Sequence, residues 1–155
     1  YKDYQQTKEN ILSLKPYIIS HANEEVLTHI DAVPDNFLFI TNSKNEQEIY
    51  LIDWEYAGMQ DPHVDIAMFC IYSFYDKHQI DQTIDNYFID NCPDSIRTKI
   101  YCYIAVCGLL WSNWCEYKRA LGVDFGEYSL RQYRYAKEYY KVAQAKIKKE
   151  NGVNK

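Results

Sequence analysis

Glycine is sparse, five residues in 155, and each stands isolated, so no glycine-rich loop is available to wrap a phosphate chain. Cysteine occurs five times (Cys70, Cys92, Cys102, Cys107 and Cys115), an odd number with no C-x-x-C spacing, which argues against a disulfide framework or a zinc site. These thiols are expected to be small buried hydrophobes in a reducing compartment, and the location expected is cytoplasmic. Long apolar runs are missing too. The longest, Ile104 to Trp111, is far too short to span a bilayer, and no signal-peptide pattern is visible. Nor is there a surplus of positive charge: 17 Lys and Arg stand against 22 Asp and Glu, for a formal net charge of −5. That balance excludes a broad nucleic-acid or anionic-membrane surface and suits, weakly, a small cationic substrate.

Tyrosine is what the chain has in quantity, 16 residues, and 47% of all residues are hydrophobic, which excludes disorder. Apolar residues Tyr4, Ile11, Leu12, Leu14 and Ile18 recur at helical spacing over 3–20, where Pro16 is expected to kink or end the helix. Val26 to Phe37 reads as a loop. Phe37-Leu38-Phe39-Ile40 and Ile49-Tyr50-Leu51-Ile52 flank a polar stretch with an Asn-Ser-Lys-Asn turn and predict a β-hairpin; Glu55 to Pro62 reads as irregular. From His63 the pattern is helical, with helices near 63–76, 78–90, 95–120 and 126–149. Asp61-Pro62 is expected to open the first, Asp94 or Ser95 to cap the third, Gly122 to end it, and Lys146 to Lys155 to fray. The expectation is one domain over 1–155, mainly α with one small β-hairpin.

One ordered set of polar residues stands out. His29-Ile30-Asp31-Ala32-Val33-Pro34-Asp35-Asn36 fits H-x-D-x-x-x-x-N, and Asp53 follows 17 residues after Asn36, at the end of the second apolar run. Phosphoryl transfer needs a carboxylate to orient and deprotonate an attacking hydroxyl, and oxygen ligands to hold Mg²⁺ on the nucleotide phosphates. Asp31 and Asn36, five residues apart on one loop, can be aimed at one point, and the hairpin returns the chain to set Asp53 opposite Asn36. Taken singly, each of these residues is equally a turn or cap former. Asp35 fits the turn itself, and His21 and His63 fit surface or packing roles.

H-x-D-x-x-x-x-N, a hairpin, then an Asp-aromatic pair resembles the catalytic core of the protein-kinase-like superfamily. Leu51-Ile52-Asp53-Trp54-Glu55-Tyr56-Ala57-Gly58 is similar to the Asp-aromatic-Glu-Tyr segment of choline and ethanolamine kinases, the bacterial LicA-type choline kinases most closely. The resemblance runs from about residue 26 to about 140 and implies the C-terminal helical lobe of such a kinase. By it, Asp31 is the catalytic base, Asn36 and Asp53 are Mg²⁺ ligands, Asp65 in Asp65-Ile66-Ala67 braces the catalytic loop through backbone N–H groups, and His29 keeps that loop's shape. ATP is the implied co-substrate.

Choline carries a quaternary ammonium with no N–H to donate, so recognition falls to ring faces and nearby negative charge. Trp111 and Trp114 lie three residues apart, on one helix face. The resemblance places them in the choline cage, with Tyr128 from Phe125-Gly126-Glu127-Tyr128 completing it. Tyr72 and Tyr75 are further wall candidates, Tyr133 a weaker one, and Glu55 a source of compensating charge. Aromatic pairs at this spacing also serve as plain core. The basic C-terminal helix counts against an aminoglycoside kinase, whereas ethanolamine is a closer competitor. A silent ammonium-binding relative and a purely structural helical domain complete the alternatives.

The chain begins at Tyr1 rather than Met, only 28 residues precede His29, and Lys2, Lys8 and Lys15 lie in a helical pattern. The expectation is an excised lobe without its N-terminal ATP-binding partner, which folds, binds choline weakly and turns over ATP negligibly; an upstream targeting segment stays open, and the oligomeric state is not legible.

Overall fold

The computed structural model describes residues 1–153. In chain order it comprises α1 (Tyr4–Leu12), α2 (Lys15–Ser20), β1 (Val26–Thr28), a 3-10 turn (Pro34–Asn36), β2 (Phe37–Thr41), β3 (Gln47–Leu51), β4 (Gly58–Gln60), α3 (His63–Tyr72), α4 (Lys77–Phe88), α5 (Asp94–Ala120) and α6 (Tyr128–Val153). The mainly helical architecture stands. Two departures from expectation concern the strands: Val26 to Phe37 is not all loop, and Glu55 to Pro62 is not all irregular. β1 pairs antiparallel with β4, Leu27 opposite Met59 and Thr28 opposite Gly58, so there are two small sheets rather than one hairpin. Three-residue strands with exposed Val26, Leu27 and Met59 carry no alternation for a sequence pattern to reveal.

The hairpin itself pairs Phe37 with Leu51 through Thr41 with Gln47. Its turn is organised by Asn42, whose Oδ1 accepts the N–H groups of Lys44 (2.9 Å) and Glu46 (3.0 Å). The helix expected over 3–20 divides at Ser13-Leu14, because Pro16 fits only the first turn of a new helix. Asp61 accepts the N–H of His63 at the start of α3 (3.0 Å), and Asp76 closes a reciprocal capping box with Gln79 on α4. α5 begins at Asp94 after Pro93, with no side-chain cap from Asp94 or Ser95. Gly122, at φ +89°, follows the end of α5 as expected. α6 does not fray at Lys146. Glu150 accepts hydrogen bonds from Tyr17 (2.7 Å) and Thr98 (3.0 Å), which fasten its last turns to α2 and α5; the final part of the expected frayed tail, 154–155, lies outside the described residues.

The core lies among α3, α4, α5 and α6, where Ile71, Ile80, Ile84, Ile100 and Ile104 are fully buried. Each such side chain contributes about 1.5–3 kcal/mol. α5 and α6 come into close backbone approach at Gly108: a Cβ there would sit 2.8 Å from the Gln132 carbonyl oxygen and 2.9 Å from the Ala136 nitrogen. Four of the five cysteines are buried and all are free, and burial raises their thiol pKa values. Among the described residues no helix is long and apolar enough to cross a membrane.

Candidate active site

The loop after β1 carries Asp31, and two carboxylate hydrogen bonds hold it to the helical body. Asp65, in the first turn of α3, accepts the N–H of His29 at Oδ2 (2.9 Å) and that of Ile30 at Oδ1 (2.8 Å). Between these bonds and Asp31 stands Ile30 at φ +69°, a conformation a β-branched residue rarely adopts. Strain of this kind persists only where the surroundings over-determine the backbone, and it concentrates at functional positions. His29 is buried and donates from Nε2 to the Ile52 carbonyl (2.8 Å), since a carbonyl can only accept. Its ring meets Trp54 edge-on at 4.7 Å, and the Trp54 indole N–H donates to the Leu51 carbonyl (2.8 Å). The loop and the end of the hairpin are thus locked together by a histidine and a tryptophan.

Asn36 closes the other end of the loop. Its Nδ2 donates to the Asp31 carbonyl oxygen at 2.9 Å and approaches Asp31 Oδ2 at 3.4 Å. With the nitrogen spent there, Oδ1 is the atom left to meet a ligand. The Asn36 carbonyl accepts the Ile52 N–H (3.0 Å), so Asp53 stands one residue beyond the position paired with Asn36. Asp53 is also at positive φ, +65°, and is exposed. Among the described residues no group of three His, Cys, Asp or Glu side chains surrounds a common point. Asn36 and Asp53 are a sparse set of hard oxygens. That set fits Mg²⁺, which keeps most of its shell as water and phosphate and takes one or two protein ligands.

A cluster of rings lies near Asp31, joined to it through Tyr72 and Tyr128. Trp111 and Trp114 stack almost parallel, 5.3 Å between centroids and 8° between planes. Tyr72 meets Trp111 edge-on at 5.2 Å, Phe125 leans on Trp114 at 5.3 Å, and Tyr128 contacts both Phe125 (6.2 Å) and Phe74 (5.3 Å). Burial raises the Tyr72 phenol pKa, and the nearby Asp31 carboxylate raises it further, although the hydroxyl is buried without a hydrogen-bond partner. Burial pushes Tyr128 up to about 12, with Asp31 among the smaller contributors. Tyr56 is raised too, by Glu55 first and by Asp31 and Asp53 after it, so an exposed phenol senses all three carboxylates.

Of the residues singled out from sequence, His29, Asp31, Asn36 and Asp53 are gathered on the two linked loops, Asp65 holds the first of these from α3, and Tyr72, Trp111, Trp114 and Tyr128 form one ring cluster beside them. Glu55 is exposed next to Tyr56. Tyr75 goes elsewhere: its ring packs on Phe69 (5.7 Å) and its carbonyl accepts the Tyr135 hydroxyl (2.7 Å). Tyr133 stacks on Tyr1 at 3.9 Å, away from the cluster. Phe74 and Tyr56 were not singled out; Phe74 sits at φ +53° just past α3, a placement no spacing rule reports.

Known proteins resemble this chain in sequence and in fold. Residues 3–98 match the phosphotransferase enzyme family, APH. The protein LicA of Haemophilus influenzae is 29% identical over 125 residues, which cover 71% of this chain and 43% of that protein. The crystal structure of choline kinase LicA from Streptococcus pneumoniae superposes with a TM-score of 0.73 at 28% identity, covering 92% of this chain and 49% of that one. LicA in complex with AMP gives the same TM-score at 29% identity, over 92% of this chain and 48% of the other. The chain therefore spans about half the length of these relatives, and its fold is that of the helical lobe of a protein-kinase-like enzyme. On a family match over most of its length, together with the loop and hairpin geometry, the chain belongs to the phosphotransferase enzyme family.

Proposed function

We propose that this chain is the acceptor-binding and proton-abstracting half of a kinase that transfers the γ-phosphoryl group of ATP to the hydroxyl of choline, giving phosphocholine and ADP. The observation that carries the proposal is the closeness of Asp31 to a cluster of rings: a carboxylate near enough to raise the Tyr72 and Tyr128 phenols would be within reach of the hydroxyl of an ammonium alcohol held on those rings. Asp31 accepts the choline hydroxyl proton as the new O–P bond forms and the bond from the γ-phosphorus to the ADP oxygen breaks. Trp111, Trp114, Tyr72 and Tyr128 hold the ammonium, and Glu55 adds negative charge at the entrance. Asn36 and Asp53 would hold Mg²⁺, which supplies positive charge to the phosphates when bound. Asp65 and His29 keep the loop in place. The likeness to choline kinase LicA, and to LicA bound to AMP, supports both the acceptor and the nucleotide.

Titration of the chain with choline, followed by tryptophan emission, should show saturable binding that Trp111→Ala weakens about tenfold. Ethanolamine should bind less tightly, having no methyl shell to pack on the rings. In a chain that also carries a nucleotide-gripping lobe, ³¹P NMR should show phosphocholine forming from ATP and choline. No emission change with choline, together with no phosphocholine, would sink the proposal; faster turnover of ethanolamine would move the acceptor within the same class.

A further inference from the structure

Lys99, on α5, is fully buried, far from any surface a lysine normally seeks. Its ammonium donates to Asp61 Oδ2 (2.6 Å) and Asn23 Oδ1 (2.7 Å) and lies 6.0 Å from the Tyr103 ring centroid. Asp61, itself buried, accepts the N–H of Asn23 (2.9 Å) and of His63 (3.0 Å). The buried pair gives little net stability for its desolvation, so what it secures is the placement of the segments it joins. Those segments matter here. Asn23 leads into β1 and Asp61 follows β4, so the pair closes the outer end of the two-stranded ribbon. Asp65, one helical turn after Asp61, closes the inner end by holding His29 and Ile30.

We propose that Lys99 is a positioning residue: by fastening both chain ends of the β1–β4 ribbon to α5, it sets the start of α3 and, through Asp65, holds the Asp31 loop. The last link, to phosphoryl transfer, rests on the function proposed above; the link from Lys99 to the loop does not.

His63 provides a signature that a generic stabilising lysine would lack. Its Nδ1 lies 3.4 Å from Asp61 Oδ1, buried and without a hydrogen bond. Asp61 faces it from the segment before α3, Lys99 from α5, and the rings of Tyr87 (6.2 Å) and Phe88 (5.4 Å) from α4. Burial, then the Lys99 ammonium, keep the imidazole pKa below its ordinary value against the pull of Asp61. In Lys99→Met the carboxylate is stranded, and after the carboxylate itself the imidazole is the nearest group able to take a proton. Its pKa should rise above the ordinary value, and imidazolium should stand in for the lost ammonium at low pH.

The test is a His63 titration by NMR together with amide hydrogen exchange in wild type, K99M, K99M/H63Q and N23A. In K99M the His63 pKa should rise. His29 and Ile30 amides should exchange roughly tenfold faster near pH 8 than in wild type, relative to Ala105 and Ala136 in the α5–α6 core, and recover near pH 5. K99M/H63Q should not recover. N23A, which keeps the ion pair, should show a smaller loosening of the same two amides and covers the case in which K99M does not fold. Unchanged exchange at His29 and Ile30 in N23A and K99M, a loss shared equally by the core amides, or an unmoved His63 pKa would each overturn the proposal. Where turnover is measured, kcat should fall in K99M while KM for choline holds, with recovery toward acid pH. A loosened loop with wild-type kcat would overturn the positioning role yet leave the choline-kinase reading intact. Absence of turnover in a wild-type chain that also carries a nucleotide-gripping lobe would sink that reading, while the exchange data still decide the link from Lys99 to the loop.

Discussion

The two halves of the molecule are built on opposite principles. From Val26 to Gln60 the chain forms two narrow ribbons with apolar residues turned outward: Phe39 is 69% exposed, Ile49 63% and Met59 59%. From His63 onward, long helices bury a continuous core of isoleucine, alanine, cysteine and tyrosine. The Asp31 loop belongs to the first half and is held by the second, through Asp65 on α3 and through Lys99 on α5, which pairs with Asp61. A poorly buried segment can hold strained residues such as Ile30 and Asp53 only when a rigid neighbour dictates their backbone.

Substitutions can break or sharpen that division. The largest effect is expected from Asp31→Asn, which, in a chain that also carries a nucleotide-gripping lobe, should lower phosphocholine formation about a thousandfold while shifting stability by under ~0.5 kcal/mol, read by turnover and calorimetry on the same preparation. A large stability loss would mean that Asp31 belongs to the body rather than to the chemistry. Asp65→Ala crosses the divide. It removes two charge-assisted hydrogen bonds and should cost about 3 kcal/mol in urea unfolding, with turnover falling alongside. Gly108→Ala strikes the body alone: the new methyl meets backbone of α6, and about 1–3 kcal/mol should be lost in the same assay. Smallest of all, Phe39→Ser on the hairpin should change stability by less than ~0.5 kcal/mol, because that ring is already in water.

The division also governs what could be read from sequence. Spacing singles out His29, Asp31, Asn36 and Asp53, since the proposed site lies on a short loop and a hairpin and is therefore local in the chain. The helices were legible from apolar recurrence, and Pro16 announced the break between α1 and α2. β1 and β4 were not legible, because they meet across some 30 residues and neither has a buried face to impose alternation. Lys99 escaped notice for a different reason: its partners Asn23 and Asp61 are remote in sequence. One trace was available in retrospect, a lysine lying between Ile96 and Tyr103 on the apolar stripe of α5. Tyr72 and Tyr75, three residues apart, looked alike as wall candidates. The end of α3 separates them, leaving Tyr72 against Trp111 and carrying Tyr75 toward Phe69.

Trp111 and Trp114 lie too near one another to admit a trimethylammonium group between their planes, since a sandwiched cation would require roughly double their separation. The pair forms a single thick slab, and Lys118 rests over the second indole at 5.3 Å. On the proposed reading, discrimination among alkylammonium head groups would fall to the phenols of Tyr72 and Tyr128, and a longer N-alkyl arm would extend along the slab before meeting a wall.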